Sequence, residues 1–187
     1  MHIDKVIAGC KRNKRRAQNE LYKQFYPLMH NIAFRYSKDT SNIGSLINAG
    51  FYKVYKSIDS YNDKHALATW MRNIMVNTCI DEYRKSARKE THIELEENTK
   101  SVELIVNEGE QDLQGKDVME LVNQLGDVAR NVFNLAAIDG YSHTEIAEKM
   151  KISAGASRWH LHQARIQLKE KINNRLAKEN KSIQAAR

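Results

Sequence analysis

Hydrophobic positions recur at helical spacing over most of the chain. The longest uninterrupted stretch, residues 66–89, contains neither glycine nor proline and predicts one helix of about six turns. Stepping about 100° per residue separates a broad apolar face, which we expect to be buried, from a narrow mixed stripe. The apolar face consists of Met71, Ile74, Met75, Cys79 and Tyr83. The stripe consists of Trp70, Asn73, Asn77, Arg84 and Arg88. A solvated helix face and a nucleic-acid-binding surface both account for such a stripe.

Two further amphipathic segments precede the long helix. Apolar residues keep a helical period over residues 21–36 and across Pro27, where a helix is expected to kink or to end. Turn-forming residues interrupt the pattern at 38–45, and residues 46–61 predict another helix. A polar loop at 60–66 then leads into the long helix. The first part of the chain is therefore predicted to be a helical bundle.

The hydrophobic period is lost over residues 91–115, which predicts a linker, and returns over residues 116–187. Ser142 and Glu145 match the S-x-x-E capping box at the start of a short helix. Ser153 is expected to cap a final long helix after a turn of about three residues. The packing stripe of that final helix consists of Leu161, Ala164, Leu168 and Ile172.

Charge divides the chain into basic, acidic and basic blocks. Residues 1–89 carry 17 Lys and Arg against 7 Asp and Glu, and include the run KRNKRR at 11–16. Residues 90–127 carry 2 against 11, and residues 128–187 carry 11 against 5. The net charge of the whole chain is +7. Because basic blocks bind polyanions through counterion release, this layout favours a nucleic-acid partner.

Several classes of protein are disfavoured by the sequence. No run approaches the roughly 18 apolar residues of a membrane span, so a soluble cytoplasmic protein without membrane insertion is expected. Cys10 and Cys79 are isolated and are predicted to be free thiols. His160 and His162 face apart on a helix, and no cluster of ligands or carboxylates has usable spacing. We therefore predict no metal, no cofactor, no small-molecule substrate and no enzymatic activity.

A short capped helix, a turn and a second capped helix with one apolar stripe form the layout of a helix-turn-helix. The residues of the second helix that point away from the stripe, or flank it, suit the DNA major groove. They are Ala156, Arg158, Trp159, His162, Gln163 and Arg165. A plain helical hairpin is the alternative interpretation.

Both blocks together resemble the extracytoplasmic-function group of bacterial RNA polymerase sigma factors. The segment EIAEKMKISAGASRWHLHQARIQL at 145–168 is similar to region 4 of that family, and TWMRNIMVNTCIDEYRK at 69–85 to its region 2 signature. The resemblance implies an all-α protein of two helical domains. These are a region 2 bundle at 1–90, an acidic flexible linker at 91–115 and a region 4 helix-turn-helix at 116–187.

The resemblance also implies an alternative sigma factor that binds core RNA polymerase and directs promoter-specific initiation. Region 2 would open the −10 element, with Asn77 and the loop at 60–66 holding a flipped base of the non-template strand. The implied −10 residues are Tyr61, Asn62, Asn73, Asn77, Arg84, Lys85, Arg88 and Lys89, the last four along the phosphates. Region 4 would read the −35 element with Ser142, Thr144, Arg158, Trp159, His162, Gln163 and Arg165. Trp70 is expected to pack rather than to stack on a base.

The implied polymerase-binding residues are Leu46, Ile47, Asn48 and Phe51. The family carries D-L-x-Q-E-x-F at this place, whereas Ser45 and Ala49 replace the two acids here. A helix-turn-helix regulator that has lost polymerase engagement is therefore the alternative function. In the second block, Trp159 and Gln163 depart from the family pattern and predict an unusual −35 preference. An anti-sigma partner is implied only by the habit of the family.

Overall fold

The computed structural model describes residues 3–37, 39–90 and 115–185, and within these ranges it is helical without any β-strand. The predicted all-α fold is therefore confirmed. The predicted linker, apart from Gly115, lies outside the described residues. The helices are α1 (Ile3–Lys11), α2 (Arg15–Tyr36), α3 (Ile43–Ser57), α4 (Leu67–Glu90), α5 (Gly115–Asn123), α6 (Asp127–Phe133), α7 (His143–Met150) and α8 (Ala154–Ala185).

Helix α2 runs through Pro27 without ending there. A proline inside a helix removes one backbone hydrogen bond and crowds the preceding turn. The same helix packs against α1, α3 and α4, and it buries Leu21, Met29 and Ile32 almost completely. Because tertiary packing outweighs local propensity, α2 continues through Pro27. The break in the chain lies between α1 and α2, at the turn before Arg15.

The core of the first bundle lies between α2, α3 and α4. Met71, Met75 and Cys79 are buried as the periodicity predicts, whereas Ile74 and Tyr83 are only partly buried. Val76 and Ile80 are buried in addition. The buried face of α4 is therefore wider than predicted, because this helix packs against α2 on one side and α3 on the other.

The second block begins its helix-turn-helix as the sequence predicts. The hydroxyl of Ser142 accepts a hydrogen bond from the backbone N–H of Glu145, and the Glu145 carboxylate accepts one from the backbone N–H of Ser142. Lys151 ends α7 in a left-handed conformation with φ +60°. Ser153 Oγ then accepts a hydrogen bond from Ala156 N at 3.0 Å. Both predicted caps are confirmed.

The two blocks pack against each other in the structure. Five buried residues of the second block belong to the same apolar cluster as the core of the first bundle: Val132, Leu135, Ile146, Met150 and Leu161. A smaller cluster holds α5, α6 and α8 together through Leu121, Val122, Leu125, Ala129, Ala164 and Leu168. The helix-turn-helix is thus fixed on the surface of the first bundle.

Both cysteines are free and buried, as the sequence predicts. Burial raises the pKa of the Cys79 thiol to about 12, so this group stays protonated and packs as a small apolar side chain. None of the helices that the structure describes is both long enough and apolar enough to cross a membrane.

Helices α1 and α2 approach closely at Gly9. A Cβ atom added there would lie 2.5 Å from the Cβ of Ala17, an atom that cannot move without its backbone. We predict that Gly9→Ala lowers the free energy of unfolding by about 1–3 kcal/mol, the usual cost of overpacking. The measurement is urea denaturation followed by circular dichroism.

Gly44→Ala is the matched control, because a Cβ at Gly44 meets nothing within 4 Å. Alanine is the better helix former, so this control should be stabilised by up to about 1 kcal/mol. Equal effects of the two substitutions would contradict the close approach at Gly9.

Candidate nucleic-acid interface

The mixed stripe predicted on α4 lies at the surface of the structure. Asn73 and Asn77 are exposed and stand one helical turn apart on the same face. One turn before them, Trp70 is partly buried and packs against the core and against Tyr61, with ring centroids 5.3 Å apart. Two amides thus follow an aromatic pair along one line.

The loop at 60–66 is braced by its own hydrogen bonds. Tyr61 donates its hydroxyl hydrogen to the carbonyl of His65 at 2.8 Å. The Asn62 side-chain oxygen accepts from the backbone N–H of Lys64 at 3.3 Å. Residues 62–66 are nevertheless exposed. The loop therefore presents polar groups to solvent next to the start of α4.

Basic side chains follow on the second half of α4. Arg84 forms an ion pair with Asp81. Asp81 Oδ2 also pairs with Lys53 Nζ at 2.9 Å. Lys85 lies 3.5 Å from Glu82, and Arg88 is exposed. The side chain of Lys89, which is also predicted to contact phosphate, is not among those that the structure describes. Because the ion pairs at Asp81 and Glu82 are solvent-accessible, they are weak enough to exchange for phosphate.

The predicted polymerase-binding residues require a correction. Leu46, Ile47 and Phe51 are only 6%, 1% and 2% exposed, so their side chains hold α3 in the bundle and cannot reach a partner directly. Asn48 is exposed, as are Ser45, Ala49 and Tyr52. The apolar residues of the motif are core positions, since the face of α3 that they occupy is turned toward α2 and α4.

The outer face of the helix-turn-helix is open. Arg158, His162 and Arg165 are exposed, Gln163 is partly exposed and Trp159 is 40% exposed. Ser142 and Thr144 at the start of α7 are also exposed. On the inner side, His143 Nδ1 and the fully buried Ser157 Oγ lie 2.9 Å apart and join the two helices. The predicted DNA-reading residues are thus all at least partly accessible to solvent.

A buried carboxylate fixes the helix-turn-helix on the first bundle. The side chain of Asp139 is 1% exposed and accepts hydrogen bonds from Arg35 at 3.1 Å, Tyr36 at 2.7 Å and Arg72 at 3.4 Å. Burial, followed by the charge of Asp139, raises the pKa of Tyr36 above its usual range, so the phenol remains a donor. Asn134 adds a hydrogen bond to the backbone carbonyl of Arg35 at 2.7 Å.

The same packing engages both amides of the α4 stripe. Lys149 Nζ donates to Asn77 Oδ1 at 2.6 Å, and the hydroxyl of Tyr141 donates to Asn73 Oδ1 at 3.2 Å. The Lys149 ammonium also lies 4.7 Å from the centroid of the Tyr141 ring. In this conformation Tyr141 and α7 therefore lie against the surface that the family resemblance assigns to the −10 element.

Family models match both helical blocks. The sigma-70 region 2 model matches residues 21–89, and the sigma-70 region 4 model matches residues 116–168. The matches therefore include α4 with its stripe and the helix-turn-helix with its outer face. The chain belongs to the sigma-70 family of RNA polymerase sigma factors.

Relatives of this sigma factor place it in the extracytoplasmic-function group. It is 26% identical over 157 residues to RNA polymerase sigma factor YlaC of Bacillus subtilis, covering 82% of this chain and 90% of that protein. It is 24% identical over 185 residues to the ECF sigma factor SigW of the same species, covering 93% and 98%. The chain is thus an alternative sigma factor, a DNA-binding factor that directs promoter-specific transcription initiation.

A solved structure shares the fold. The sigma factor RpoE of Bartonella quintana, crystallised with the anti-sigma factor NepR, superposes with a TM-score of 0.51 at 19% identity. The superposition covers 83% of this chain and 96% of that chain.

Sequence reasoning did not identify the residues that join the two regions of this sigma factor. None of Asp139, Arg72, Tyr141 and Lys149 stands out from its neighbours in the sequence. Their partners lie between 67 and 104 residues away in sequence. No local pattern reports such pairs, because they form only when region 4 packs on region 2.

Removing the buried carboxylate tests this packing. We predict that Asp139→Ala lowers the free energy of unfolding by about 3 kcal/mol or more, since it leaves Arg35 and Tyr36 without their partner. The radius of gyration from small-angle scattering should increase as region 4 separates from region 2. Urea denaturation of the same sample gives the stability.

Asp59→Ala is the matched control, because Asp59 is exposed and takes part in no ion pair within the described part of the chain. It removes the same charge and should change neither quantity. A radius of gyration that is the same in both variants would show that Asp139 does not hold the regions together.

Proposed function

We propose that α4 and the loop at 60–66 form the surface that opens the −10 element. The observation that supports this most directly is the line from the Tyr61–Trp70 ring pair to the exposed amides of Asn73 and Asn77. Amides hydrogen-bond base edges, and a base taken out of the stack needs such partners to offset the cost of unstacking. Asn62, beside Tyr61, completes the polar wall that would hold the base.

The phosphates of the same DNA are assigned to the second half of α4. Arg84, Lys85, Arg88 and Lys89 follow one another over two turns at the end of this helix, and a guanidinium binds phosphate in a bidentate manner. The pairs of Arg84 with Asp81 and of Lys85 with Glu82 are exchanged for phosphate when DNA binds. These contacts position the strand and carry no sequence information.

The outer face of the helix-turn-helix is proposed to read the −35 element. Gln163 can hydrogen-bond adenine and Arg158 can bind guanine or phosphate. Trp159 and His162 present large flat side chains on the same surface, while Arg165, Ser142 and Thr144 reach the backbone of the DNA. The bulk of Trp159 supports a −35 preference different from that of relatives with a small residue there.

Core RNA polymerase is proposed to bind the exposed face of α3, which carries Ser45, Asn48, Ala49 and Tyr52. The buried Leu46, Ile47 and Phe51 support this face from below. Beside it lies a groove of about 490 Å³ between α3 and α4, lined by Ser45, Ala49, Lys53, Asp81, Arg84, Lys85 and Arg88 among others. The face is therefore polar, aromatic and basic at its rim, without the two carboxylates of the family motif.

Promoter opening requires region 4 to leave region 2. The side-chain oxygens of Asn73 and Asn77 accept hydrogen bonds from Tyr141 and Lys149, so these partners must move aside before the two amides can pair fully with a base. Each of these exposed hydrogen bonds contributes only about 0.5–1.5 kcal/mol, so bases can replace them once the Asp139 contacts separate. The described conformation is accordingly assigned to the free sigma factor, and the separated one to the polymerase complex.

The proposed partners of this chain are core RNA polymerase and promoter DNA, and the proposed place of binding is the cytoplasm. An anti-sigma protein is a further proposed partner on the precedent of RpoE of Bartonella quintana. The chain itself has no proposed catalytic role and no cofactor, because the nucleotide chemistry belongs to the polymerase.

The experiment that tests the polymerase assignment is co-purification of the tagged chain with core polymerase, followed by transcription start-site mapping after overexpression. The expected result is a stable complex and a set of start sites with shared −10 and −35 sequences. Binding to DNA without co-purification of polymerase would support the alternative function, a helix-turn-helix regulator that has lost polymerase engagement. That result would be explained by the missing acids at Ser45 and Ala49.

Asn77→Ala tests the −10 assignment. We predict that the polymerase complex of this variant opens a mapped promoter at least about tenfold more slowly, while its affinity for closed duplex changes little. Because the substitution also removes the hydrogen bond to Lys149, it favours separation of the regions and cannot slow opening by that route. Permanganate footprinting measures opening, and Asn174→Ala is an exposed amide control on α8. Equal losses in binding and opening would contradict the flipped-base role.

Gln163→Ala and Arg158→Ala test the −35 assignment. Each is predicted to weaken binding to the mapped −35 sequence by about 1–3 kcal/mol relative to a scrambled one, the usual value of a bidentate base contact. Gln167→Ala removes the same amide one turn farther along α8 and should leave the preference unchanged. Fluorescence anisotropy with both duplexes gives the two affinities. An unchanged preference in the Gln163 and Arg158 variants would remove these residues from −35 recognition.

A further inference from the structure

The run KRNKRR spans the end of α1, the turn at 12–14 and the start of α2, and all of its residues, 11–16, are exposed. We call residues 11–16 the basic turn. Its backbone is held firmly: Asn13 is left-handed with φ +54°, and the N–H groups of Asn13 and Lys14 donate to the carbonyls of Cys10 and Gly9 at 2.9 and 3.0 Å. The close contact of Gly9 with Ala17 fixes the angle between the two helices. Five positive side chains are therefore displayed from a rigid base.

These charges have no anionic partner in the described part of the chain. Arg12, Lys14, Arg15 and Arg16 take part in no ion pair there. Elsewhere in the same bundle, Arg35, Lys53 and Arg84 are each paired with a carboxylate. Like charges that lie close together without a compensating anion repel one another, and this repulsion is relieved when a polyanion binds.

The basic turn adjoins the loop that is proposed to hold the flipped base. Lys11 Nζ donates to the backbone carbonyl of Tyr61 at 3.3 Å. Lys11, Tyr61 and Asn62 also line one shared cavity of about 630 Å³ between α1 and the loop. The loop lies at the N-terminal end of α4, and Arg84 and Arg88 lie at the other end. A strand that passes along α4 and enters the loop therefore meets the basic turn next.

Aromatic rings accompany the arginines on the far side of the turn. Arg15 and Arg16 line a concave surface of about 640 Å³ together with Tyr22 and Tyr55. The hydroxyl of Tyr55 is fixed by the carbonyl of Gln18 at 2.8 Å. Basic side chains beside flat rings form the usual platform for single-stranded nucleic acid, whose bases stack while its phosphates pair. This combination favours an opened DNA strand over an acidic protein surface.

We propose that the basic turn binds the phosphates of the non-template strand immediately downstream of the base held by the loop at 60–66. The site would stabilise the open promoter complex and would not take part in reading the −10 or −35 sequence. The assignment extends the proposed function, because it requires that the loop and α4 receive the opened strand.

The test uses the complex of this chain with core polymerase and two fork-junction DNAs built on a mapped promoter. In one DNA the single-stranded non-template tail ends with the −10 element, and in the other it continues for about eight nucleotides, within the usual site size of such platforms. The variant is the triple substitution Arg12→Gln, Arg15→Gln and Arg16→Gln. The matched control replaces the same three arginines with lysine, which keeps the charge.

The wild-type complex should bind the long-tailed fork more tightly than the short-tailed fork. The glutamine triple variant should lose most of that difference while binding the short fork as the wild type does, and the lysine variant should retain it. For the long-tailed fork, the plot of log affinity against log salt concentration should be less steep for the glutamine variant than for the wild type. The difference in slope should be about 2, the value for three single-strand phosphate contacts.

Three results would overturn the proposal. A glutamine variant that keeps the full advantage of the long tail would show that the basic turn does not touch the strand. An equal loss on both forks, together with weaker binding to core polymerase alone, would assign the turn to a protein contact. A wild-type complex that binds neither fork better than duplex DNA without a −10 element would refute the assignment of α4 and the loop as well.

Discussion

The conformation of this sigma factor depends on one buried carboxylate. Asp139 comes from the turn before the helix-turn-helix, yet its hydrogen-bond partners, Arg35, Tyr36 and Arg72, lie on two helices of region 2. A carboxylate with 1% exposure is tolerated only because several donors surround it. The donors in turn would be left unpaired if region 4 moved away. This mutual dependence orients region 4, and it brings α7 onto α4 in a single register.

In that register the two proposed DNA-reading surfaces differ in accessibility. The outer face of α8 is open to solvent, whereas the amides of α4 are hydrogen-bonded to Tyr141 and Lys149. The proposed −35 residues are thus accessible in this conformation, while the two amides proposed to bind the −10 element are engaged. Contacts that are individually weak cover the amides, and the stronger Asp139 cluster lies next to them. Separating the cluster is therefore costly, whereas the exposed hydrogen bonds to the amides are easily broken.

In helix α3 the apolar residues of the family motif face the core of the bundle. The spacing of Leu46, Ile47 and Phe51 identifies the family segment, but all three side chains are buried. Periodicity separates the two faces of a helix without saying which one meets a neighbouring helix and which one meets a partner protein. In this bundle α2 and α4 cover the apolar face. The accessible side chains on the other face, which is the proposed polymerase surface, are Ser45, Asn48, Ala49 and Tyr52, the last of which is 65% exposed.

The sequence by itself determined the helical class, the caps at Ser142 and Ser153, the apolar faces of α4 and α8, and the family. The caps and the apolar faces depend on neighbours within about one turn, where side-chain spacing and hydrogen-bonding chemistry leave few alternatives. The family rests on the order of motifs in the two blocks, which the sequence also displays directly. Only the tertiary structure decided that α2 continues through Pro27, that α4 is buried on a wider face, and that Asp139 joins the two regions. Each of these depends on groups from distant parts of the chain, and the packing energy of such groups outweighs the local preference.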